Sequence, residues 1–172
     1  MNSIMCSARD LTSQEWEDLR VLYVKAFVTM SESVSAEDLA LMGNNPAEFW
    51  ADVFDRDKPK SHAENYTFNM TREGERIVAY GLYTYASDAQ YLYIHHFVVH
   101  PDYQGQGLGK RLMYAMQELY VDTQKVGLLT RTYNLQAQNF YKHLGFSPSI
   151  KIPAAIHEYY SSDRVYMERI VS

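Results

Sequence analysis

Cysteine occurs once in the 172 residues, as Cys6. A lone thiol cannot close a disulfide within the chain, so a cross-linked framework is excluded. Long apolar runs are missing too: none approaches the roughly 20 residues that a membrane-crossing helix requires. Met1 to Arg9 holds no apolar stretch of the kind found at the centre of a secretory leader. A cytoplasmic protein without a membrane partner is therefore expected. Basic residues are the scarcer charge, 16 Lys and Arg against 21 Asp and Glu, for a formal net charge of -5. Nucleic acid is bound by concentrated basic surfaces, so it is not expected as a ligand. The 47% hydrophobic and 22% charged content is an ordinary globular balance, too apolar for disorder. The length suits one domain over residues 1–172, large enough to bury a core.

Hydrophobic periodicity divides the chain into elements. Ile4 to Ala8 reads as a short edge strand. Thr12 and Glu15 have the spacing of a capping box, and Trp16, Leu19, Tyr23, Ala26 and Phe27 then recur at helical period. Ser31 to Ser35 is a polar break, after which Ser35 caps a short helix ending near Gly43. Asn45, Pro46 and Glu48 read as N-cap, first-turn proline and first-turn acid. Phe49, Trp50, Val53 and Phe54 form the buried stripe of that helix. Asp55 to His62 is charged and contains Pro59, which predicts a loop. Tyr66, Phe68 and Met70 alternate with polar residues, the period of a half-buried strand. Glu73-Gly74 supplies a hairpin turn, and Ile77 to Tyr85 and Tyr91 to Val99 are further strands.

From there the pattern changes to strand, helix, strand. Gly107 to Tyr120 is amphipathic, Val126 to Thr132 is a strand, and such a unit places its two strands parallel. Asn134 to Leu144 is a helix with Gly145 as C-cap. Ser147 to Ile152 and Arg164 to Val171 complete a mixed α/β domain, antiparallel first and with a parallel pair past its centre.

The stretch Gln104-Gly105-Gln106-Gly107-Leu108-Gly109-Lys110 lies between a strand and a helix. A helix start exposes unpaired N–H groups at the positive end of its dipole, and glycine lets a phosphate approach that backbone. Two common phosphate motifs fail here. In the Walker pattern the first glycine would stand where Gln104 does, and Arg111 replaces Ser or Thr. The dinucleotide fingerprint needs a third glycine where Lys110 stands.

What fits is Gln/Arg-x-x-Gly-x-Gly/Ala, carried by Gln104, Gly107 and Gly109. In this the chain resembles the GNAT N-acetyltransferase superfamily, where that turn cradles the pyrophosphate of acetyl-CoA. The preceding Phe97-Val98-Val99-His100-Pro101-Asp102-Tyr103 also looks like the family's strand ending in Val-x-Pro-x-Tyr. A second motif, Asn134-x-x-Ala137-x-x-Phe140-Tyr141-Lys142-x-x-Gly145-Phe146, follows in the family's order. The resemblance implies a central mixed sheet of about seven strands, with a splayed parallel pair, flanked by about four helices.

It also implies an N-acetyltransferase that moves an acetyl group from acetyl-CoA to a primary amine by direct attack in a ternary complex. The acceptor is a small molecule or a peptide, no metal is involved, and a homodimer is compatible with the family. Cofactor contacts are expected from Phe97, Val98, Val99, Gln104, Gly105, Gln106, Gly107, Leu108, Gly109, Lys110 and Asn134. Asn134 reads equally as a plain N-cap. Tyr141 matches the family's general acid, and a phenol with an ordinary pKa of about 10 keeps its proton at neutral pH. Many members carry Glu or Asp on the fourth strand as general base, where this chain has His95 and His96. Neighbouring strand residues face opposite sides, so one histidine at most is expected in the cleft. His95 aligns with the usual carboxylate and is the preferred base; His96, or water without a dedicated base, are the alternatives. The missing carboxylate leaves a second reading, a non-catalytic acyl-CoA-binding regulatory module on the same fold. Tyr159, Tyr160 and Glu32 are candidates to touch the acceptor, and Cys6 is read as a small packing residue.

Overall fold

The computed structural model describes residues 2–40, 42–63 and 66–171, the side chains of 2 and 59–63 excepted. Its strands are β1 (Asn2–Ser7), β2 (Thr67–Glu73), β3 (Arg76–Ala86), β4 (Tyr91–Val99), β5 (Lys125–Arg131), β6 (Ser147–Pro148) and β7 (Arg164–Ile170). Its α-helices are α1 (Ser13–Ser31), α2 (Ala36–Ala40), α3 (Pro46–Ala63), α4 (Leu108–Glu118) and α5 (Leu135–His143). The strands form a seven-stranded sheet in the order β1-β2-β3-β4-β5-β7-β6. All pairs are antiparallel except β4 with β5. The expected mixed sheet with a parallel pair past its centre is present.

Local signals set the helix starts as the sequence implied. Thr12 and Glu15 close a reciprocal capping box at the start of α1, which satisfies two amides that the helix itself leaves unpaired. Asn45 Oδ1 accepts from the Ala47 N–H at 3.2 Å at the start of α3. Gly145 follows α5 with a φ of 85°, in the left-handed conformation that a glycine C-cap adopts.

Helices α1 and α3 cover one face of the sheet. Trp16, Leu19 and Tyr23 interlock there with Trp50, Val53 and Phe54 over Phe68, Met70, Tyr80 and Leu82. On the other face, Met113 and Met116 of α4 and Tyr141 and Leu144 pack over Tyr83, Leu92, Ile94, Val126 and Leu128.

Two expectations are corrected. Asp55 to His62 is not a loop, because α3 continues to Ala63. Proline removes only one intrahelical bond, and tertiary contacts hold the segment: Asp55 pairs with Arg20 at 3.0 Å and Asp57 with His96 at 3.0 Å. Ser147 to Ile152 is not a full strand, since only Ser147–Pro148 pairs with β7. Beyond it Ser149 Oγ accepts from the Lys151 N–H at 3.2 Å, a side-chain turn that diverts the chain from the ladder.

Candidate active site

The geometry of the site follows from two irregularities in β4. Its pairing with β5 begins at Tyr91–Lys125 and ends at Ile94–Leu128, so beyond Ile94 the two strands part. Its register with β3 slips between Leu82–His96 and Tyr83–Ile94, which leaves His95 as the extra residue of a β-bulge. The bulge inverts the alternation of side chains. Leu92 and Ile94 face α4. His96, two residues further, packs instead on Tyr23 and Phe54, with ring centres at 4.9 and 6.0 Å.

His95 lies on the α1/α3 side as well, against Tyr66 at 4.4 Å, Tyr93 at 4.6 Å and Tyr159 at 5.7 Å. The expectation that only one histidine reaches the cleft is thereby corrected. Phe97, two residues beyond His95, turns to the other side of the sheet, where its ring stacks on Phe140 at 5.7 Å.

The turn after β4 leaves backbone amides free of the helical ladder at the start of α4. Gly105 and Gly107 have φ of 72° and 76°, and Gly107 caps α4 with no side-chain hydrogen bond. The first intrahelical bond runs from the Arg111 N–H to the Gly107 carbonyl at 3.1 Å. The amides of Leu108, Gly109 and Lys110 therefore precede the helical ladder. Gln104 Nε2 donates to the Val99 carbonyl at 3.0 Å, and its Oε1 accepts from Gln136 Nε2 at 3.3 Å. These two bonds tie the turn to β4 and α5. A Cβ on Gly109 would meet Phe140 Cζ at 3.1 Å, so the absent side chain lets α5 close on α4.

Three cavities lie along the parting of the strands, the smallest sharing lining residues with each of the other two. The first, of about 320 Å³, is lined by Phe97, Val98, Val99, Gln104, Gly105, Gly107, Gly109, Lys110, Asn134 and Tyr141. Ala26, Phe27 and Met30 of α1 close it opposite; helical periodicity marks Ala26 and Phe27 as core positions and gives no sign of this second role. Two expected residues do not line it. Gln106 Nε2 donates to the Asp102 carbonyl at 2.8 Å, and Leu108 is buried against Val78 and Leu112.

The second cavity, of about 120 Å³, sits between the parted strands and shares Phe97, Asn134 and Tyr141 with the first. The third, of about 510 Å³, shares His95, His96, Asp57, Leu129 and Arg164 with the second. Tyr66, Tyr93, Tyr159 and Tyr160 complete its wall. Glu32 is exposed and lines none of these cavities.

Asn134 caps α5 by accepting from the Ala137 N–H at 3.0 Å, so the plain cap reading holds, and its side chain also borders the cleft. Tyr141 is 7% exposed, and burial raises its phenol above the usual pKa of 10. Its hydroxyl makes no hydrogen bond with a described residue, and Tyr141 lines both smaller cavities. Burial likewise raises Tyr23, Tyr93 and Tyr159, so these three phenols keep their protons.

Both ring nitrogens of His96 are engaged, Nε2 with Asp57 Oδ2 at 3.0 Å and Nδ1 with the Tyr80 hydroxyl at 3.3 Å. His95 Nε2 meets Thr84 Oγ1 at 3.1 Å. Burial opposes ionisation of Asp57, but the His96 bond and charge, with Arg164 and His95, bring its pKa below the usual carboxylate value. Cys6 is half-buried on the edge strand, and its thiol pKa is raised by burial and by Glu15 and Asp10. That is the opposite of an activated nucleophile.

A sheet opened at a parallel pair thus has a glycine turn at one side of the gap and a polar chamber at the other. The profile of the acetyltransferase (GNAT) family matches residues 16–146, and the chain belongs to that family. The family's co-substrate is acetyl-CoA. Among curated relatives, an uncharacterized N-acetyltransferase (ycf52) of Gracilaria tenuistipitata var. liui is 51% identical over 51 residues, 28% of this chain and 26% of the relative. The thialysine N-epsilon-acetyltransferase of Bos taurus is 30% identical over 78 residues, 42% of this chain and 46% of the relative. The chain thus spans less than half the length of these relatives.

The paia N-acetyltransferase of Thermoplasma acidophilum, solved with coenzyme A, superposes with a TM-score of 0.68 at 14% identity, over 99% of this chain and 100% of that one. The ribosomal-protein-S18-alanine N-acetyltransferase of Escherichia coli does so with 0.62 at 17% identity, over 99% and 95%. These likenesses establish the fold. Among the described residues no helix is long and apolar enough to cross a membrane, and no group of His, Cys, Asp and Glu could hold a metal.

Proposed function

We propose that the chain is an acetyl-CoA-dependent N-acetyltransferase acting on a primary amine by direct attack. The observation that supports this most is that the cleft of the glycine turn and the chamber of His95 and His96 each share lining residues with the small cavity between them, Tyr141 on one side and the histidines on the other. The amides that open α4 suit a pyrophosphate. The edge of β4 that β5 leaves unpaired beyond Ile94 suits the amide groups of an extended pantetheine arm, with the Val99 carbonyl already held by Gln104. The thioester then comes to lie between Tyr141 and the histidines.

The amine enters from the large chamber in its neutral form, and as it attacks, the N–H proton it must lose passes to His95. His95 is favoured over His96 because it aligns with the carboxylate that many family members carry on this strand, and it lines the chamber. The amine nitrogen bonds to the thioester carbon, the carbon–sulfur bond breaks, and the leaving thiolate takes the Tyr141 proton. Released products are the N-acetylated amine and free CoA thiol. Tyr141 and His95 return to their starting states through solvent.

The first test is calorimetric titration with acetyl-CoA beside ATP and NAD, followed by thiol-release assays over a panel of amines. Binding of acetyl-CoA alone, with thiol released by at least one amine, is the expected result. ATP or NAD binding more tightly than acetyl-CoA would refute the proposal. So would tight acetyl-CoA binding with no amine turned over, which matches a non-catalytic binding module.

A further inference from the structure

The large chamber carries four charged side chains besides its histidines: Arg56, Asp57, Glu158 and Arg164. Asp57 is bound to His96, and Arg56 Nε reaches back to the Asp52 carbonyl at 3.3 Å. Glu158 is exposed at the rim. Arg164 is close enough to Asp57 for its charge to lower that carboxyl's pKa, yet it forms no contact pair with it. It opens β7 opposite Arg131, is half-buried, and borders both the chamber and the gap between the strands. Arg131 is paired with Asp163. The Arg164 guanidinium makes no ion pair or hydrogen bond with a described residue, and its Nε is fully enclosed without a partner. Arg164 contributes nothing to the cleft of the glycine turn, so the phosphates expected there are not its ligand.

An enclosed donor without an acceptor carries a desolvation cost that folding does not return. The planar fork of a guanidinium matches a carboxylate in two parallel hydrogen bonds. We infer that the acceptor is an amine that also bears a carboxylate, of the amino-acid class, and that Arg164 is the residue that reads this carboxylate. The inference rests on the transferase reading above. With the carboxylate on Arg164, the amine points toward His95 and the gap, and the carbon part lies on the wall of Tyr66, Tyr93 and Tyr159. A diamine or polyamine would instead bring a second cation to Arg164.

The test pairs L-alanine, L-methionine, L-phenylalanine and L-lysine with their carboxamides and their decarboxylated amines, in thiol-release assays with acetyl-CoA. The acids should be preferred by roughly tenfold to a hundredfold in kcat/KM, chiefly through KM, as expected for one charge-assisted pair. Arg164→Gln should collapse that ratio toward one, and Arg164→Lys, which keeps the charge but not the fork, should restore part of it. Amides or decarboxylated amines used as well as the acids would overturn the inference while leaving the transferase reading intact. A ratio unchanged in Arg164→Gln would overturn it in the same way.

A binding arm separates the two claims if no amine is turned over. With CoA present, N-acetyl-L-methionine and N-acetyl-L-phenylalanine are titrated against their carboxamides. Tighter binding of the acids, lost in Arg164→Gln, would keep the carboxylate site and sink the transferase reading. Equal binding, or none, would sink the carboxylate site.

Discussion

His96 and Asp57 face one another across the sheet–helix boundary, with Nε2 and Oδ2 3.0 Å apart. The pair links β4 to the part of α3 that carries Pro59, and it leaves His95 as the residue of the bulge. Two adjacent residues of one strand therefore lie on the same side of the sheet and line the same chamber: His96 is held by Asp57 and Tyr80, and His95 packs among Tyr66, Tyr93 and Tyr159.

This pair predicts a pH effect on stability. The pKa of Asp57 is lower in the folded protein than the usual carboxylate value of about 4. A depressed carboxylate stabilises the fold above its unfolded-state pKa, and the contribution is lost as pH falls through the folded one. Between pH 5 and pH 3 the urea midpoint of the wild type should therefore fall more steeply than that of Asp57→Asn. Parallel slopes would show that the pair contributes nothing.

Much of this architecture is readable in local sequence. The capping box of Thr12 and Glu15, the Asn45-Pro46 start of α3 and the Gln104 to Lys110 turn each act within a few residues, so their spacing alone defines them. The bulge at His95 is different. It arises from register against β3, and no local pattern in Tyr91 to Val99 marks it. Asp57 lies within reach of the helical pattern, since Trp50, Val53 and Phe54 place it next along the buried face of α3, but Pro59 argues for a loop. Arg164 has no signal at all, because only the pairing of β7 with β5 brings it beside the gap.

The capping box predicts a plain stability change. Thr12 Oγ1 accepts from the Glu15 N–H at 3.2 Å, and Glu15 Oε2 accepts from the Thr12 N–H at 2.9 Å. Glu15 also reaches Arg72 of β2 at 2.7 Å, so the cap fastens α1 to the sheet. Thr12→Ala should lower the unfolding free energy by about 1 kcal/mol. Ser13→Ala, one position inside the helix, should change it by less than about 0.5 kcal/mol. Chemical denaturation of both variants tests the contrast.

Gly107 predicts a coupled loss of stability and cofactor affinity. Its φ of 76° is left-handed, while its Cβ position has open space, with Arg111 Nη1 the nearest atom at 3.7 Å. Gly107→Ala therefore suffers backbone strain without a steric clash, worth about 1–2 kcal/mol. Relief of that strain would turn the first amides of α4 away from the cradle. Acetyl-CoA should bind several-fold more weakly to Gly107→Ala by calorimetry, beyond what the stability loss alone would produce. Unchanged affinity would show that the turn is structural only.

Tyr141 gives the most direct test of the chemistry. Its ring packs against Phe97, Phe140 and Phe146, with centres 6.2, 5.4 and 5.8 Å away, and that packing survives in Tyr141→Phe. The hydroxyl has no hydrogen-bond partner among the described residues, so stability should change by less than about 0.5 kcal/mol. Acetyl-CoA affinity should be close to that of the wild type. Loss of a general acid should lower kcat by roughly a hundredfold or more. Because burial raises the phenol above its usual pKa of 10, the proton stays on through the alkaline range. Wild-type kcat should therefore show no descending limb below pH 10. Steady-state kinetics across pH checks both points. A Tyr141→Phe variant with full kcat would remove Tyr141 from the proton path and leave the thiolate to be protonated by solvent.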